Sequence, residues 1–362
     1  MSGSITLPSP YPSIPSNVTS LGDYCTIALC PLSLAHVHYV PNLAGNAFYA
    51  SIFGLVLLIQ LGLGVRYRTW GFAAGMFLGL LCEVIGYIAR IQMHDNPFRE
   101  DPFLMYLITL TIGPAFLSGS IYLCLARLVV AFSESTSRIA PRTLTLGFMG
   151  CDFIALLLQA IGGALASTAD TENSEQIGIN IMIAGVAWQV VSLVLFIALC
   201  TDYSLRVRRS CPSESANPAL QGIRRSRKFR GFLIALAIAT LAILIRSGFR
   251  CAELSQGFDG RLANEQVTFM ILEGGMIAVA VISLTVFHPG LAFQGKWADA
   301  GWKLGSKRHG ESTSMAMNTI HQRASSTTSL ARREVGDEES MHTISYPTSV
   351  IKGNVNVGHA SA

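Results

Sequence analysis

Seven apolar runs divide this chain, and each is long enough to cross a bilayer as a helix. They cover roughly residues 44–65, 70–92, 103–131, 144–168, 178–201, 231–251 and 266–288. Crossing ~30 Å of hydrocarbon takes ~20 helical residues. A closed barrel would need short strands of alternating polarity, and runs such as FLIALAIATLAILI at 232–245 do not alternate. The sequence therefore predicts an all-α polytopic membrane protein, a bundle of seven transmembrane helices.

The charge content agrees with this prediction. Charged residues make up 13% of the chain and hydrophobic residues 51%, whereas soluble proteins carry about 25% charged residues. Too few charges are available to cover a water-facing surface. The net charge of +4 is concentrated outside the apolar runs, so we interpret it as a signal for membrane orientation and expect no nucleic-acid partner.

The basic residues predict which way the helices run. Of the 26 Lys and Arg residues, 20 lie in loops 66–69, 132–143 and 202–230 or after residue 290. Those segments are cytosolic if the N-terminus is outside, and only Arg99 and Arg261 then face the exterior. We therefore expect an extracellular, partly disordered segment 1–43, a membrane domain 44–290 and a mostly disordered cytosolic tail 291–362.

The exterior segment carries two candidate modifications. Asn17 begins the tripeptide Asn-Val-Thr, a glycosylation sequon on the side of the membrane where glycosylation occurs. Such short sequences also arise by chance. Cys25 and Cys30 would face an oxidising space, where they either form a disulfide or remain free thiols.

The positions of particular residue types argue against several functions of seven-helix proteins. All five lysines lie outside the spans, so a retinal Schiff base is excluded. The eight histidines lie in termini, loops or at a span end, which argues against a metal site within the bundle. The match to a nucleotide-binding loop at 290–296 has Trp297 where a Ser or Thr is required and follows a helix instead of a strand. We expect no cofactor, no nucleotide and no enzymatic activity.

Eight ionisable residues lie within the predicted spans. Each costs at least ~2.5 kcal/mol at mid-bilayer if unpaired, so such groups face the bundle interior and are candidates for function. Two alternatives remain: salt bridges between helices, and arginines near span ends (Arg90, Arg127, Arg250) whose heads reach the interface. The eight are Glu83, Arg90, Arg127, Asp152, Arg246, Arg250, Glu253 and Glu273.

Helical spacing places many of these residues in stripes. Arg246, Arg250 and Glu253 fall on one face of the sixth helix. Equivalent stripes occur on the second helix, at Glu83, Tyr87 and Arg90, and on the fourth, at Asp152, Gln159 and Gly163. These stripes predict a polar cavity that is open toward the outer leaflet, with fewer charges deeper in the bundle. Gly113-Pro114 is expected to interrupt the hydrogen bonding of the third helix and to kink it or act as a hinge.

An ordered set of short motifs resembles a known family. The set begins with YVPNLAGN (39–46) and EVIGYIAR (83–90) and continues with Pro114-Ala115, Tyr122, Arg127, Asp152, Gln159, Gly162-Gly163, Gln189, Arg246, Arg250, Glu253, Glu273 and His288-Pro289-Gly290. Together these motifs are similar to those of the fungal lipid-translocating exporters, also called the resistance-to-aminocholesterol-like family. Single elements are weak signals, but their order over 39–290 is specific.

The resemblance implies a multi-pass membrane protein, often of the plasma membrane, that exports sphingoid long-chain bases or moves them between leaflets. It also implies resistance to toxic amphiphiles. The predicted partners are membrane lipids and a sphingoid base or other cationic amphiphile, and the sequence leaves the oligomeric state open. The alternative is a seven-helix lipid or stress receptor that signals through its cytosolic loop and tail.

We assign residue roles as hypotheses. Glu83, Asp152 and Glu273 would compensate the amine of the substrate. Gln159 and Gln189 would bond its hydroxyls, and Arg246 and Arg250 would hold the acids ionised when no substrate is bound. The full predicted substrate-binding set is Glu83, Tyr87, Asp152, Gln159, Gln189, Arg246, Arg250, Glu253 and Glu273.

Overall fold

The fold was analysed in a computed structural model. The structure describes residues 21–35, 37–132, 141–168, 171–209, 226–256 and 265–294, together with Gly260, Leu262 and Trp297. The Asn17 sequon and nearly all of the tail after residue 294 lie outside the described residues.

Seven helices in the described part of the chain are long and apolar enough to span a membrane. The prediction of seven helical spans is confirmed, while the orientation of the termini stays a prediction. The seventh helix, α7, comprises Gln266–Phe269, a π-helical turn Met270–Gly275 and Met276–Val286. The first six are α1 (Leu43–Tyr67), α2 (Trp70–Asp95), α3 (Glu100–Phe132), α4 (Pro141–Ser167), α5 (Glu172–Arg209) and α6 (Arg227–Ser255).

Most helices extend beyond the apolar runs that predicted them, because polar residues add turns at their ends. The predicted interruption at Gly113-Pro114 does not end α3, which continues through Pro114. The alternative in which the heads of Arg90 and Arg250 reach the interface does not hold. Their side chains are buried, at 0% and 4% exposure, because other helices cover them.

Polarity is distributed as lipid requires. Large apolar side chains such as Leu58, Phe153 and Val191 are more than 60% exposed, which suits a lipid-facing surface. Charged side chains such as Glu83, Arg90 and Glu273 are at most 1% exposed. These charged groups therefore lie inside the bundle, while large apolar side chains cover the lipid-facing surface.

Small residues bring neighbouring helices into close contact. A Cβ added at Gly162 of α4 would lie 2.6 Å from the Gly178 carbonyl oxygen of α5, and one added at Gly178 would lie 2.5 Å from the Ala166 nitrogen. A Cβ at Gly75 of α2 would lie 2.2 Å from Ser120 Oγ of α3. The glycines therefore set the α4–α5 and α2–α3 distances.

A short segment before α1 packs on the turn after α2. Cys25 and Cys30 are joined by a disulfide with Cα atoms 5.4 Å apart. Both cysteines are buried in a small cluster with Phe98. The Asn96 side chain donates to the carbonyl oxygens of Gly22 and Cys25. These contacts fix the segment over this end of α2.

Candidate functional site

Arg246 of α6 connects three helices inside the bundle. Its Nη2 donates to Glu273 Oε1 of α7 at 2.5 Å and to the Leu110 carbonyl oxygen of α3. Arg246 is 3% exposed and Glu273 1%. Buried charge-assisted hydrogen bonds of this kind are strong, so Arg246 holds α3 and α7 to α6.

The Leu110 carbonyl is available because of Pro114. In a helix this carbonyl would accept from the N–H four residues later, and proline has no N–H. Pro114 therefore leaves a buried acceptor facing the interior, and Arg246 satisfies it. The predicted consequence of Gly113-Pro114 was a kink or hinge; the observed consequence is an anchoring point for an arginine.

Glu273 lies in the π-helical turn of α7, Met270–Gly275. Such turns shift side chains from their ordinary helical direction and release backbone groups from the hydrogen-bond ladder. The Met270 carbonyl accepts a hydrogen bond from the Tyr49 hydroxyl of α1 at 2.8 Å. Gly274 gives room to two rings, because a Cβ there would lie 2.3 Å from the Tyr87 hydroxyl and 3.0 Å from the Tyr49 ring.

Arg250, one turn from Arg246, extends the charged network. Its Nη1 donates to Glu253 Oε2 at 2.7 Å, and its Nε lies 3.7 Å from Glu273 Oε1. Its Nη2 donates to the Thr111 hydroxyl of α3 at 3.4 Å. Arg250 is therefore paired with Glu253, and Arg246 and Arg250 both lie within 4.0 Å of Glu273.

Glu83 of α2 has no such partner. It is 1% exposed, and no basic side chain lies within 4.0 Å of its carboxyl group in the described part of the chain. Its Oε1 is buried without a hydrogen bond, as is the Tyr87 hydroxyl one turn away. A Cβ added at Gly113 of α3 would lie 3.0 Å from this Oε1, so the glycine makes room for the carboxyl group.

A small cavity adjoins the network. Its volume is about 10 Å³, close to the space that one water molecule needs. Gln159 Nε2 of α4 donates to Gln189 Oε1 of α5 at 3.4 Å beside it. The cavity is lined by Thr111, Gln159, Met182, Val186, Gln189, Arg246, Ser247, Arg250 and Leu254. Glu83, Glu253 and Glu273 do not line this cavity, and a larger cavity open toward the outer leaflet stays a prediction.

Asp152 belongs to a different group. Its Oδ2 accepts from Ser118 Oγ at 2.8 Å and from the Tyr122 hydroxyl at 3.0 Å, both on α3. It shares no hydrogen-bond partner with Glu83 or Glu273, and it does not line the cavity. The three acids predicted to compensate the amine therefore have different surroundings. Glu273 is paired with Arg246, Glu83 has no basic partner among the described residues, and Asp152 is bonded to hydroxyl groups of α3.

Arg90 occupies a cage of its own. Its Nε donates to Asn46 Oδ1 at 3.1 Å and its Nη2 to the Tyr39 hydroxyl at 2.9 Å. The guanidinium carbon lies 4.0 Å from the centre of the Phe269 ring and 5.2 Å from that of Tyr106. Aromatic faces stabilise a desolvated cation, so Arg90 needs no carboxylate.

Sequence reasoning missed the partners that are not themselves charged. The Leu110 carbonyl could have been found, because a proline four residues later always leaves an acceptor free. Tyr39 and Asn46 belong to the YVPNLAGN motif, but the motif gave no indication that they hold Arg90. Thr111 and Tyr49 give no signal of their own, since neutral side chains become partners only when helices pack. No group of three or more His, Cys, Asp or Glu residues that could hold a metal occurs among the described residues.

Seven apolar helices around a buried charged network define a multi-pass membrane protein with a polar interior. Comparison with known sequences identifies its family. The profile described as "RTA1 like protein" matches residues 76–296, and this chain belongs to that family.

Three yeast relatives illustrate the similarity. The chain is 34% identical to the sphingoid long-chain base transporter RSB1 of Saccharomyces cerevisiae, over 71% of this chain and 74% of the relative. It is 28% identical to Protein RTM1 of the same species, over 63% and 73%. It is 29% identical to Protoporphyrin uptake protein 1, also from Saccharomyces cerevisiae, over 58% and 66%. No solved structure matches the chain significantly.

Proposed function

We propose that this protein moves cationic single-chain amphiphiles of the sphingoid long-chain base type between leaflets or out of the cell. We place it in the plasma membrane, where this movement gives resistance to toxic amphiphiles. The similarity to a sphingoid long-chain base transporter supports the substrate class. The alkyl chain stays in hydrocarbon while the ammonium and hydroxyl groups pass through the polar interior.

The observation that carries the proposal is the unpaired carboxyl group of Glu83. Glu253 and Glu273 each have an arginine within 4.0 Å, whereas Glu83 has none in the described chain. A buried acid without a counter-cation is costly, and an ammonium group bound there would remove the cost. Glu83 is therefore the acid best placed to receive the substrate amine.

Polar groups beside the cavity suit the rest of the headgroup. The Gln159 and Gln189 amides supply donors and acceptors for hydroxyls, and Glu273, held by Arg246, contributes negative charge nearby. The cavity of about 10 Å³ is too small for a headgroup, so we assign the structure to a closed conformation. Substrate entry then requires α4 and α5 to separate from α3 and α6.

The test is lipid movement in liposomes that contain only the purified protein. A fluorescent sphingoid base placed in one leaflet should reach the other faster than in protein-free liposomes. Glu83→Gln should abolish the acceleration, because the amide cannot neutralise an ammonium. Glu175→Gln, which changes an exposed acid on α5, is the matched control and should move lipid like the parent protein.

A receptor gives a different result. A lipid receptor would bind the sphingoid base without accelerating its movement. Binding without acceleration by the parent protein would therefore overturn the proposed function in favour of a receptor. In cells, Glu83→Gln should reduce resistance to added sphingoid base at equal surface expression, while Glu175→Gln should not.

A further inference from the structure

Asp152 is a buried acid that the proposed substrate site does not use. It is 4% exposed, and its Oδ1 has no hydrogen-bond partner among the residues that the structure describes. No basic side chain lies within 4.0 Å of it in the portion of the chain that the structure describes. A carboxylate in this position lacks a counter-charge, and binding a proton at Oδ1 would remove its charge.

The surroundings of Asp152 favour a proton over a metal cation. A metal ion requires several oxygen lone pairs directed at one point. Asp152 belongs to no group of three or more His, Cys, Asp or Glu residues among the described residues, and the Ser118 and Tyr122 hydroxyl groups both contact Oδ2 and not Oδ1. A proton needs a single oxygen and no cavity, and Oδ1 offers this.

A second unpaired polar group lies at the same depth. Helices α4 and α5 are antiparallel, and the rings of Phe148 and Phe196 meet with centroids 5.3 Å apart. Asp152 lies one turn after Phe148, and Ser192 lies one turn before Phe196, so both fall at one level of the α4–α5 pair. Ser192 Oγ is likewise buried without a partner.

Few titratable side chains lie next to Asp152 among the described residues. Tyr122 faces Asp152 from α3 and Cys151 precedes it on α4. From α5, Ser192 and Gln189 reach this part of the pair, and neither titrates. A change in the protonation of Asp152 would therefore act directly on its hydrogen bonds to α3.

The hydrogen bonds of Asp152 connect the α4–α5 pair to α3. The close approach of Gly162 and Gly178 makes α4 and α5 one tightly packed hairpin. Asp152 connects this hairpin to α3 through its hydrogen bonds to Ser118 and Tyr122. Gln159 and Gln189, on the same hairpin, line the cavity. Hydrogen bonds to an ionised carboxylate are about twice as strong as neutral ones, so protonation of Asp152 would weaken the attachment of the hairpin to α3.

We propose that Asp152 is a proton-binding site that couples movement of the cationic amphiphile to movement of a proton in the opposite direction. This inference rests on the proposed function. The proton leaves water on one side, forms an O–H bond at Oδ1, and returns to water on the other side after the hairpin has moved. No other bond forms or breaks.

The test uses the full-length protein in liposomes with a pH difference of one unit across the membrane. The probe is an N-trimethylated sphingoid base, which is permanently charged and has no neutral form that could cross passively. At one-for-one exchange, its final ratio between leaflets should shift about tenfold, whereas in protein-free liposomes it should stay in the leaflet where it was added. Asp152→Asn should remove this shift, and Cys151→Ser, the matched control, should retain it. Infrared difference spectra should show a protonated-carboxyl band that changes with pH in the parent protein and in Cys151→Ser but is missing in Asp152→Asn.

Each outcome of these measurements either supports or overturns the proton-binding site. A tenfold shift with an infrared band lost in Asp152→Asn supports the proposal. If the protein accelerates lipid movement but the final distribution does not depend on the pH difference, the proton site is overturned and the proposed function is retained. A band that persists in Asp152→Asn assigns the proton to another group and overturns the site as well. No movement by the parent protein under any condition removes the proposed function and this inference together.

Discussion

The guanidinium group of Arg246 donates to the Leu110 carbonyl, whose ordinary helical partner would have been the missing N–H of Pro114. The same Nη2 also donates to Glu273 in the π-helical turn of α7. One arginine thus joins two helix irregularities that face each other across the bundle. Arg246 thus supplies the Leu110 carbonyl with the hydrogen bond that Pro114 removes.

Glu273→Gln should destabilise the fold. The change leaves Arg246 as a buried cation without its carboxylate, and breaking a buried ion pair on one side costs about 3–5 kcal/mol. Thermal unfolding in detergent should show a clearly lower melting temperature. Glu83→Gln is the control, since it removes no ion pair and should cost much less. Equal losses for both variants would contradict the assignment of the pair to Glu273.

Gly162→Ala should weaken the α4–α5 hairpin. The new methyl group would meet the Gly178 carbonyl oxygen and the Met182 nitrogen at 2.6 Å, and crowding of this kind costs about 1–3 kcal/mol. Gly150→Ala on the same helix meets no heavy atom within 4 Å, so it should leave the melting temperature unchanged or slightly raised. A stable Gly162→Ala protein would show that the helices are free to shift apart.

Arg90→Lys should release the segment that precedes α1. Lysine cannot donate to Asn46 and Tyr39 in the geometry that the guanidinium group uses, and hydrogen bonds from a charged group contribute about 1.5–3 kcal/mol each. Hydrogen exchange at residues 37–42 should become faster. Arg99→Lys, at an exposed arginine, should not change it. Unchanged protection in Arg90→Lys would mean that other contacts hold the segment.

Cys25 and Cys30 should be protected from alkylation. The chain has eight cysteines, and two form the disulfide. The unfolded, unreduced protein should therefore accept six alkyl groups by mass spectrometry and eight after reduction. A Cys25→Ser, Cys30→Ser double variant should accept six under both conditions. Eight groups without reduction would show that the pair is open.

Much of the fold was predictable because lipid imposes simple requirements. A run such as 231–251 must be helical, since a buried backbone has to satisfy its own hydrogen bonds, and α6 occupies Arg227–Ser255. The stripe of Arg246, Arg250 and Glu253 on α6 was predicted in the same way, and all three side chains are buried. Helical period alone gives this result.

The pairing of the charges was not predictable in that way. The sequence grouped Glu83, Asp152 and Glu273 as equivalent acids, yet Glu273 meets Arg246, Asp152 meets two hydroxyls, and Glu83 meets neither. Arg90 was assigned to a span end, but aromatic rings from α3 and α7 surround it. These differences depend on the rotation of each helix and on the π-helical turn.

The sequence by itself determined that seven helices cross the membrane and which face of each helix is polar, because both follow from local hydrophobicity and the helical period. Only the tertiary structure decided which acid has a counter-charge. An ion pair depends on distances of a few ångströms between residues far apart in the chain, such as Arg246 and Glu273, and those distances are set when the helices pack.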